Sequence, residues 1–132
     1  MAQCPCGLAH EYMQCCGRYH AGPLHLQAPT PEALMRSRYS AYAMGLRQYV
    51  LDTWHLSTRP AHRERFDSGV TWLGLTVKRS WVESTDDGYV DFIARCRAPG
   101  GGPAQRTREV SRFSRVGGRW QYLGAVAPRD GE

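Results

Sequence analysis

Four of the five cysteines lie within the first sixteen residues of this 132-residue chain, as the pairs Cys4/Cys6 and Cys15/Cys16. Thiolates are soft ligands, and four of them can close a tetrahedral shell around one zinc ion. Disulfides fit the spacing poorly, because a bond between adjacent cysteines would be strained and five cysteines leave one unpaired. The spacing therefore predicts a structural zinc site formed by all four residues, with no open position for catalysis.

The adjacent pair restricts the local backbone. Neighbours on a strand point to opposite faces, so these two cysteines can share an ion only from a turn or a helical end. We expect one helical turn over Glu11–Gln14 that Gly17 ends. So short a segment buries too little apolar surface to fold unaided, and bound metal would supply the missing stability. His10 and His20 are alternative ligands, although four cysteines already complete the shell.

The bulk composition indicates one globular domain with a small appendage. Apolar residues make up 42% of the chain, far more than disordered segments contain, and 17 basic against 12 acidic residues give a net charge of +5. No stretch approaches the roughly 20 apolar residues that a membrane span needs, and no apolar signal segment precedes the cysteines. We therefore expect a cytoplasmic protein, in a reducing compartment that favours metal binding over disulfides.

The period of the apolar residues divides the chain into four parts. We expect a cysteine module over residues 1–20, a linker over 21–29, a main domain over 30–127 and a tail over 128–132. Thr30 and Pro31 begin a helix that Gly45 ends. Its apolar stripe recurs every three or four residues, at Met35, Tyr39, Tyr42 and Leu46. A second short helix through Val50 and Thr53 and a third over 60–67 follow.

From residue 70 onward, alternation of apolar and polar residues predicts four antiparallel strands. The apolar face of the first strand has one parity, shared by Leu73, Leu75, Val77 and Trp81. Asp87-Gly88 predicts the first hairpin turn, a Gly/Pro-rich loop follows over 98–103, and Gly117-Gly118 predicts the last turn. Helices followed by tightly connected strands indicate an α+β fold with an antiparallel sheet.

Two groups of motifs resemble known families. Cys4-Pro5-Cys6-Gly7, Tyr12 and Cys15-Cys16-Gly17 resemble the SEC-C motif, a small zinc module, although Leu8-Ala9-His10 stand where that motif has Ser-Gly-Lys. Further segments resemble the YchJ-like family of bacterial proteins: Met35-Arg36-Ser37-Arg38-Tyr39-Ser40-Ala41-Tyr42, Thr53-Trp54-His55, Ser57-Thr58-Arg59-Pro60, Glu109-Val110-Ser111-Arg112-Phe113 and Gly118-Arg119-Trp120-Gln121-Tyr122. The resemblance implies a nuclear-transport-factor-2-like (NTF2-like) domain, with N-terminal helices packed in a strongly curved, cone-like sheet.

A cone of this kind implies a pocket at its mouth. The candidate wall residues are Tyr39, Tyr42, Trp54, His55, Trp72 and Arg112. His55 is either a general base or a group bonded locally at the end of the second helix. The helical spacing of Tyr39, Tyr42 and Trp54 already explains them as core residues, and Cys96, which shares the apolar face of its strand, is expected in the core as well.

Arginine dominates the basic residues of the predicted strands. Seven of them are expected on the outer face: Arg95, Arg97, Arg106, Arg108, Arg112, Arg115 and Arg119. Sheets that bind RNA add exposed aromatic residues for base stacking, and the exposed parity here holds few. Arg36 and Arg38 point to different faces of one helix, and an ion pair from one of them to Glu109 or Asp52 is expected.

Three functions follow from these patterns. The first is a zinc-binding, non-catalytic adaptor that docks a protein or peptide through the cysteine module, while the main domain binds a peptide, a small ligand or a second copy. The second is contact with RNA or the ribosome through the arginines. The third is a small hydrolase or isomerase in which His55 acts with Arg112, a hypothesis that rests on fold analogy.

Overall fold

A four-stranded antiparallel sheet packed against helices forms the body of the protein. The computed structural model describes residues 3–8, 10–59 and 70–126. Helix α1 spans Gly17–His20, α2 spans Pro31–Met44 and α3 spans Arg47–Asp52. The strands are β1 (Thr71–Ser84), β2 (Asp87–Arg97), β3 (Gln105–Val116) and β4 (Arg119–Val126), and they pair in that order. The helix expected over 60–67 and the tail over 128–132 lie outside the described residues.

The α+β class and the antiparallel sheet are confirmed. The strong, cone-like curvature is not, because the sheet is not strongly curled. Each strand pairs with its neighbour in sequence, which produces a meander of four strands. Closure of a sheet on itself normally takes more strands than this. Among the described helices, none is both long and apolar enough to cross a bilayer.

Helix α2 begins and ends where the sequence predicts. The Thr30 hydroxyl accepts a hydrogen bond from the Ala33 N–H over 3.0 Å, Pro31 occupies the first turn, and the helix stops at Gly45. The cap satisfies a backbone donor that has no partner within the helix. The predicted stripe faces the core, where Met35 and Tyr39 are buried.

Strand β1 departs from simple alternation. Its pairing with β2 is irregular between Trp72 and Gly74, so that Leu73 is exposed while Trp72 and Leu75 face the core. A second irregularity, between Val77 and Arg79, moves Trp81 to the outer face. The single apolar parity expected for this strand was therefore wrong, because each bulge inserts one residue and reverses the faces beyond it.

The first hairpin turn lies two residues earlier than the sequence predicts. Strand β1 ends at Ser84, and Asp87 and Gly88 already belong to β2. Gly88 is needed for close approach rather than for a turn, since a Cβ there would lie 2.5 Å from the Pro31 Cγ. The start of α2 thus packs directly on β2. The turn predicted at Gly117-Gly118 is confirmed between β3 and β4.

One core cluster joins α2 to the inner face of the sheet. Its fully buried members include Leu34, Val90 and Phe113, which come from α2, β2 and β3. Burial of each such side chain is worth about 1.5–3 kcal/mol. This cluster fixes the position of α2 on the sheet. It thereby also fixes the direction of the other side chains of α2.

Two leucines of β1 test the face assignment. Leu75 is 7% exposed and Leu73 is 38% exposed. We expect Leu75→Ala to lower the free energy of unfolding by about 2–5 kcal/mol through lost burial and a cavity. Leu73→Ala, the matched control, should lower it by about 0.5 kcal/mol. Urea denaturation followed by tryptophan fluorescence measures both. Equal losses, or a larger loss for Leu73→Ala, would contradict the bulge.

Candidate metal centre and cavity

The first cysteine pair lies on a turn that packs against the sheet. The Cys4 N–H donates to the His10 carbonyl over 2.9 Å. Gly7 has a φ of 95°, and a Cβ there would lie 2.8 Å from the Leu75 carbonyl oxygen of β1. Glycine alone fits both the left-handed backbone and this contact. The glycine that follows the Cys-Pro-Cys sequence therefore holds the first pair close to β1.

The second pair joins two short helical turns. A 3₁₀ turn spans Tyr12–Gln14, Cys15 follows it, and Cys16 caps α1. The expectation of a turn or helical end at this pair is confirmed. Gly17 begins α1 instead of ending the preceding turn, because the Tyr19 N–H donates to the Cys16 carbonyl and continues the helical bonding.

The four sulfur atoms converge in one buried cluster. All four lie within 4.8 Å of one another, and no cysteine of the cluster is more than 5% exposed. The Sγ atoms of Cys6 and Cys15 are 3.6 Å apart, and all five cysteines of the chain are free thiols. The structure therefore brings together the four residues that the spacing of the sequence selected.

Proximity and burial separate the acidities of these thiols. Hydrogen bonds from Cys16 and Cys6 hold the pKa of Cys4 below its usual range. Burial raises the pKa of Cys15 to about 11, and the hydrogen bond to Cys4 raises the pKa of Cys16. A second thiolate would add like charge in a buried space. Without a metal, the cluster therefore favours a single thiolate. A divalent cation would reverse this preference, because coordination deprotonates each thiol.

The donor set fits a soft divalent metal ion. Tetrahedral zinc bonds thiolates at about 2.3 Å, which places its sulfur ligands about 3.8 Å apart. The 4.8 Å limit on the sulfur separations needs only a small contraction to reach this value. Four sulfurs leave no coordination position for water or substrate. These cysteines could therefore hold a metal ion whose role is structural.

The cysteine segment is fastened to α2 by polar contacts. The Cys4 Sγ lies 3.4 Å from the Ser40 hydroxyl, and the Arg36 guanidinium donates to the Cys6 carbonyl over 2.8 Å. Ser37 and Ser40 are completely buried. Small residues three apart on one helical face allow a second chain segment to approach the helix closely. The cysteine cluster is thus part of the packing of α2 rather than a separate appendage.

Neither candidate histidine joins the sulfur cluster. The Nε2 of His20 donates to the Ser37 carbonyl over 2.8 Å, and its Nδ1 accepts from the Tyr12 hydroxyl over 2.6 Å. Both ring nitrogens are therefore used, and burial lowers the pKa of His20. His10 is exposed. His20 supports the sulfur cluster indirectly, because its hydrogen bond to Ser37 links the cysteine segment to α2.

A cavity of about 230 Å³ lies between α2 and the inner face of the sheet. Four of the predicted wall residues line it: Tyr39, Tyr42, Trp54 and Trp72. Cys96, expected in the core beside Ala94, also lies on this wall and is half-buried. The two polar candidates, His55 and Arg112, are not among the lining residues, and their placement corrects the prediction.

His55 belongs to a local turn outside the cavity. Its Nδ1 accepts hydrogen bonds from the Ser57 N–H over 3.0 Å and from the Ser57 hydroxyl. Its backbone N–H donates to the Tyr122 carbonyl over 2.8 Å, which adds residues 53–55 to the edge of β4. These two hydrogen bonds from Ser57 hold the His55 ring in the turn and away from the core. A general base at the cavity therefore cannot be built on His55.

Arg112 lies on the outer face of the sheet. Its Nε donates to the Asp87 carboxylate over 3.0 Å, and its side chain is 49% exposed. Arg115 pairs in the same way with Asp86. Side chains alternate along β3, so Arg112 and the buried Phe113 point to opposite faces. The proposed partnership of Arg112 with His55 is therefore wrong.

A buried carboxylate offsets part of the basic outer face. Asp91 of β2 is only 1% exposed and accepts from Arg108 over 2.7 Å, with Arg79 3.5 Å away. The hydrogen bond from Arg108 holds the pKa of Asp91 below its usual range. Three of the seven arginines expected to form a basic face thus pair with acidic side chains: Arg108, Arg112 and Arg115.

The outer face also carries two aromatic rings, that of Trp81, which the sequence predicts on the inner face, and that of Tyr89. Trp81 and Tyr89 stack with ring centroids 5.2 Å apart, and the Arg79 guanidinium lies 4.8 Å from the Trp81 ring centroid. Base stacking needs an open ring face. Because Trp81 is stacked on Tyr89 and contacted by Arg79, it makes a poor platform for a base.

Sequence reasoning missed the polar groups inside the body of the protein. Arg38 and Glu109 line the cavity, yet neither ion pair expected for the helix arginines, to Glu109 or to Asp52, is formed. Arg36 pairs with Glu32 instead. A signal was present: Arg38 stands between buried positions of the helical stripe, where a charged residue needs a specific reason.

Comparisons with known proteins agree with this architecture. A family model described as the middle NTF2-like domain of YchJ matches residues 30–125. A UPF0225 protein of Chromobacterium violaceum is 52% identical over 129 residues, which cover 95% of this chain and 93% of that protein. A UPF0225 protein of Bordetella parapertussis is 48% identical over 122 residues, which cover 92% of this chain and 90% of that protein.

Two solved structures are similar over nearly the whole chain. The solution structure of a SEC-C motif containing protein from Rhodopseudomonas palustris has a TM-score of 0.79 and 36% identity, and covers 97% of this chain and 100% of its own. The crystal structure of a SEC-C motif containing protein from Psychrobacter arcticus has a TM-score of 0.73 and 25% identity, with coverage of 98% and 86%. Both resemblances seen in the sequence are confirmed.

The buried Asp91 makes stability depend on pH. We expect Asp91→Asn to cost about 1.5–3 kcal/mol at pH 7, the usual worth of hydrogen bonds to a charged group. Asp87→Asn, which breaks an exposed pair, should cost under about 1 kcal/mol. The depressed pKa means that the advantage of the wild type over Asp91→Asn is complete above about pH 5. The advantage is lost progressively as the pH falls below about 3.9, the pKa of an aspartate in the unfolded chain, toward the lower pKa of Asp91 in the folded protein.

Denaturant titrations of the wild type and both variants between pH 3 and pH 7 measure this difference. An advantage of the wild type over Asp91→Asn that stays constant across the range would contradict the ion pair.

Proposed function

We propose that this chain, which belongs to the YchJ-like family, is a zinc-binding, non-catalytic adaptor protein. The observation that carries the proposal is the closed, buried cluster of four cysteine sulfurs. Zinc suits four thiolates because it is soft enough for sulfur and imposes no geometry of its own. With every coordination position taken by sulfur, the ion would have a structural role. It could not bind the water molecule that metal-ion catalysis needs.

The contacts around the cluster support a role in positioning. Ser40 and Arg36 of α2 reach the first cysteine pair, and His20 ties the second pair to the same helix. An ion that binds all four cysteines would fix the N-terminal segment relative to α2. We therefore assign the metal the task of holding a presented surface in one orientation.

The surface so presented carries apolar side chains. Met13 is 71% exposed on the 3₁₀ turn between the two cysteine pairs, and Leu8 is 38% exposed beyond the first pair. Exposed methionine is typical of adaptable binding surfaces, because its side chain is flexible and polarizable. We propose that a protein or peptide partner with an apolar segment docks here.

The alternatives have less support. The hydrolase or isomerase hypothesis depended on His55 and Arg112, which lie in a local turn and on the outer face. The RNA hypothesis depended on the arginines of the outer face, and three of those arginines pair with acids. The Trp81 ring on that face is already stacked. Charge without a stacking platform is weak evidence for nucleic-acid binding.

Elemental analysis tests the metal site. We expect purified, untagged protein to contain one zinc ion per chain, and Cys15→Ser to contain far less. The Cys15→Ser variant should also lose much of its stability, since structural zinc binds zinc-finger peptides with about 10–16 kcal/mol. Cys96→Ser is the matched control and should keep the full metal content. Wild-type protein without stoichiometric metal, or full metal content in Cys15→Ser, would overturn the site.

Affinity capture tests docking through the cysteine segment. We expect Met13→Glu to lower the recovery of a partner at least about tenfold, because a charge would be buried against an apolar segment. Met44→Glu alters another exposed methionine, at the end of α2, and should leave recovery unchanged. Zinc content measured in both variants controls for folding. A partner recovered equally with Met13→Glu would refute docking at this surface.

A further inference from the structure

The cavity between α2 and the sheet contains a buried cation. Its wall is largely aromatic and aliphatic, with rings from Tyr39, Trp54 and Trp72. Into this setting α2 projects Arg38, which is only 3% exposed and lines the same cavity. A charged side chain in an apolar enclosure is costly unless it is paired or hydrogen-bonded. The contacts of Arg38 therefore indicate what the enclosure is built to receive.

Those contacts satisfy only one end of the guanidinium. Nη1 donates to the Val50 carbonyl and to the Thr53 hydroxyl, both over 2.8 Å. In the part of the chain that the structure describes, no ion pair includes Arg38, and no hydrogen bond is formed by its Nε or Nη2. Burial lowers the pKa of Arg38, but a guanidinium stays protonated inside proteins. The cation thus has donors to spare and no direct counter-ion.

The rings of Trp54 and Tyr122 hold the guanidinium in place. Its carbon lies 5.2 Å and 4.4 Å from the two ring centroids. Cation–π contacts stabilise the charge but leave the edge of the guanidinium for in-plane hydrogen bonds. The Trp54 Nε1 is also buried without a hydrogen-bond partner among the described residues. An unsatisfied buried donor costs about 1–3 kcal/mol, which an acceptor in the cavity would recover.

Among the wall residues that the structure describes, Glu109 is the one carboxylate, and it is already engaged. Glu109 accepts hydrogen bonds from the Ser111 and Tyr122 hydroxyls. Burial, with the nearby Glu109 charge, raises the pKa of Tyr122 to about 12, so its hydroxyl remains a donor. Both hydroxyls donate to the same oxygen, Oε2, so the Glu109 carboxylate is bonded to its own neighbours instead of to Arg38. The Arg38 guanidinium therefore has no carboxylate hydrogen-bonded to it among the described residues.

We infer that the cavity binds a small organic carboxylic acid, whose carboxylate pairs with Arg38 and whose apolar body lies among the aromatic side chains. Guanidinium and carboxylate form two parallel hydrogen bonds, the strongest pairing available to arginine. Rings on the wall suit a planar or short aliphatic body. The cavity is smaller than the roughly 300–1,000 Å³ of sites for drug-sized ligands, so the acid is small.

Calorimetric titration with matched pairs of compounds tests the inference. Benzoate, phenylacetate and hexanoate are each compared with the corresponding primary amide, which keeps the shape and removes the charge. We expect at least one acid to bind, and its amide to bind at least about tenfold more weakly. No binding of any acid at millimolar concentration, or equal binding of an acid and its amide, would overturn the inference.

Three variants locate the binding of the acid. Ala94→Leu takes up space in the cavity and keeps Arg38, and Arg38→Gln removes the cation, so both should abolish binding. Arg112→Gln removes an arginine from the outer face and should leave the affinity unchanged. Should Arg38→Gln fail to fold, Ala94→Leu decides the question. Binding that survives Ala94→Leu, or that Arg112→Gln abolishes, would place the acid elsewhere and refute the assignment.

Discussion

The attachment of the cysteine cluster to one side of α2, through Cys4, the Cys6 carbonyl and His20, is the contact on which the rest of the structure depends. The N-terminal segment has too little apolar surface to fold by burial alone. It meets α2 at two buried serines, where small side chains allow the thiols to approach and hydroxyl and carbonyl groups to satisfy their polar neighbours. A helix that would otherwise expose one face to water is thus covered on both sides.

The opposite side of α2 has a different environment. There Met35 and Tyr39 pack on the sheet, and Arg38 enters a cavity walled by aromatic rings. One helix therefore links the cysteine cluster to the cavity through a few residues of its own length. Under the proposed function, loss of the metal would release the face of α2 that carries Ser37 and Ser40, while the apolar core would still hold the face that lines the cavity.

Much of the fold follows from local sequence signals, and the failures share a cause. The cap at Thr30, the end of α2 at Gly45 and the turn at Gly117-Gly118 were predictable because each depends on the conformational preference of one or two residues. The faces of β1 were not, because two bulges reversed the alternation of side chains, and this moved Trp81 to the outer face. Bulges arise from pairing with the neighbouring strand, and their residues carry no fixed signature.

The sequence by itself predicted the four cysteines that cluster, the order of the described helices and strands, and the family. Ligand chemistry and short-range propensities are properties of adjacent residues, and spacing expresses them directly. Only the tertiary structure decided that His55 and Arg112 lie apart and outside the cavity, that Asp91 is buried between arginines, and that Arg38 is a buried cation with no ion pair among the described residues. Each of these depends on which distant residues share a small enclosed volume, and the cost or gain of burying a charge is set by that neighbourhood.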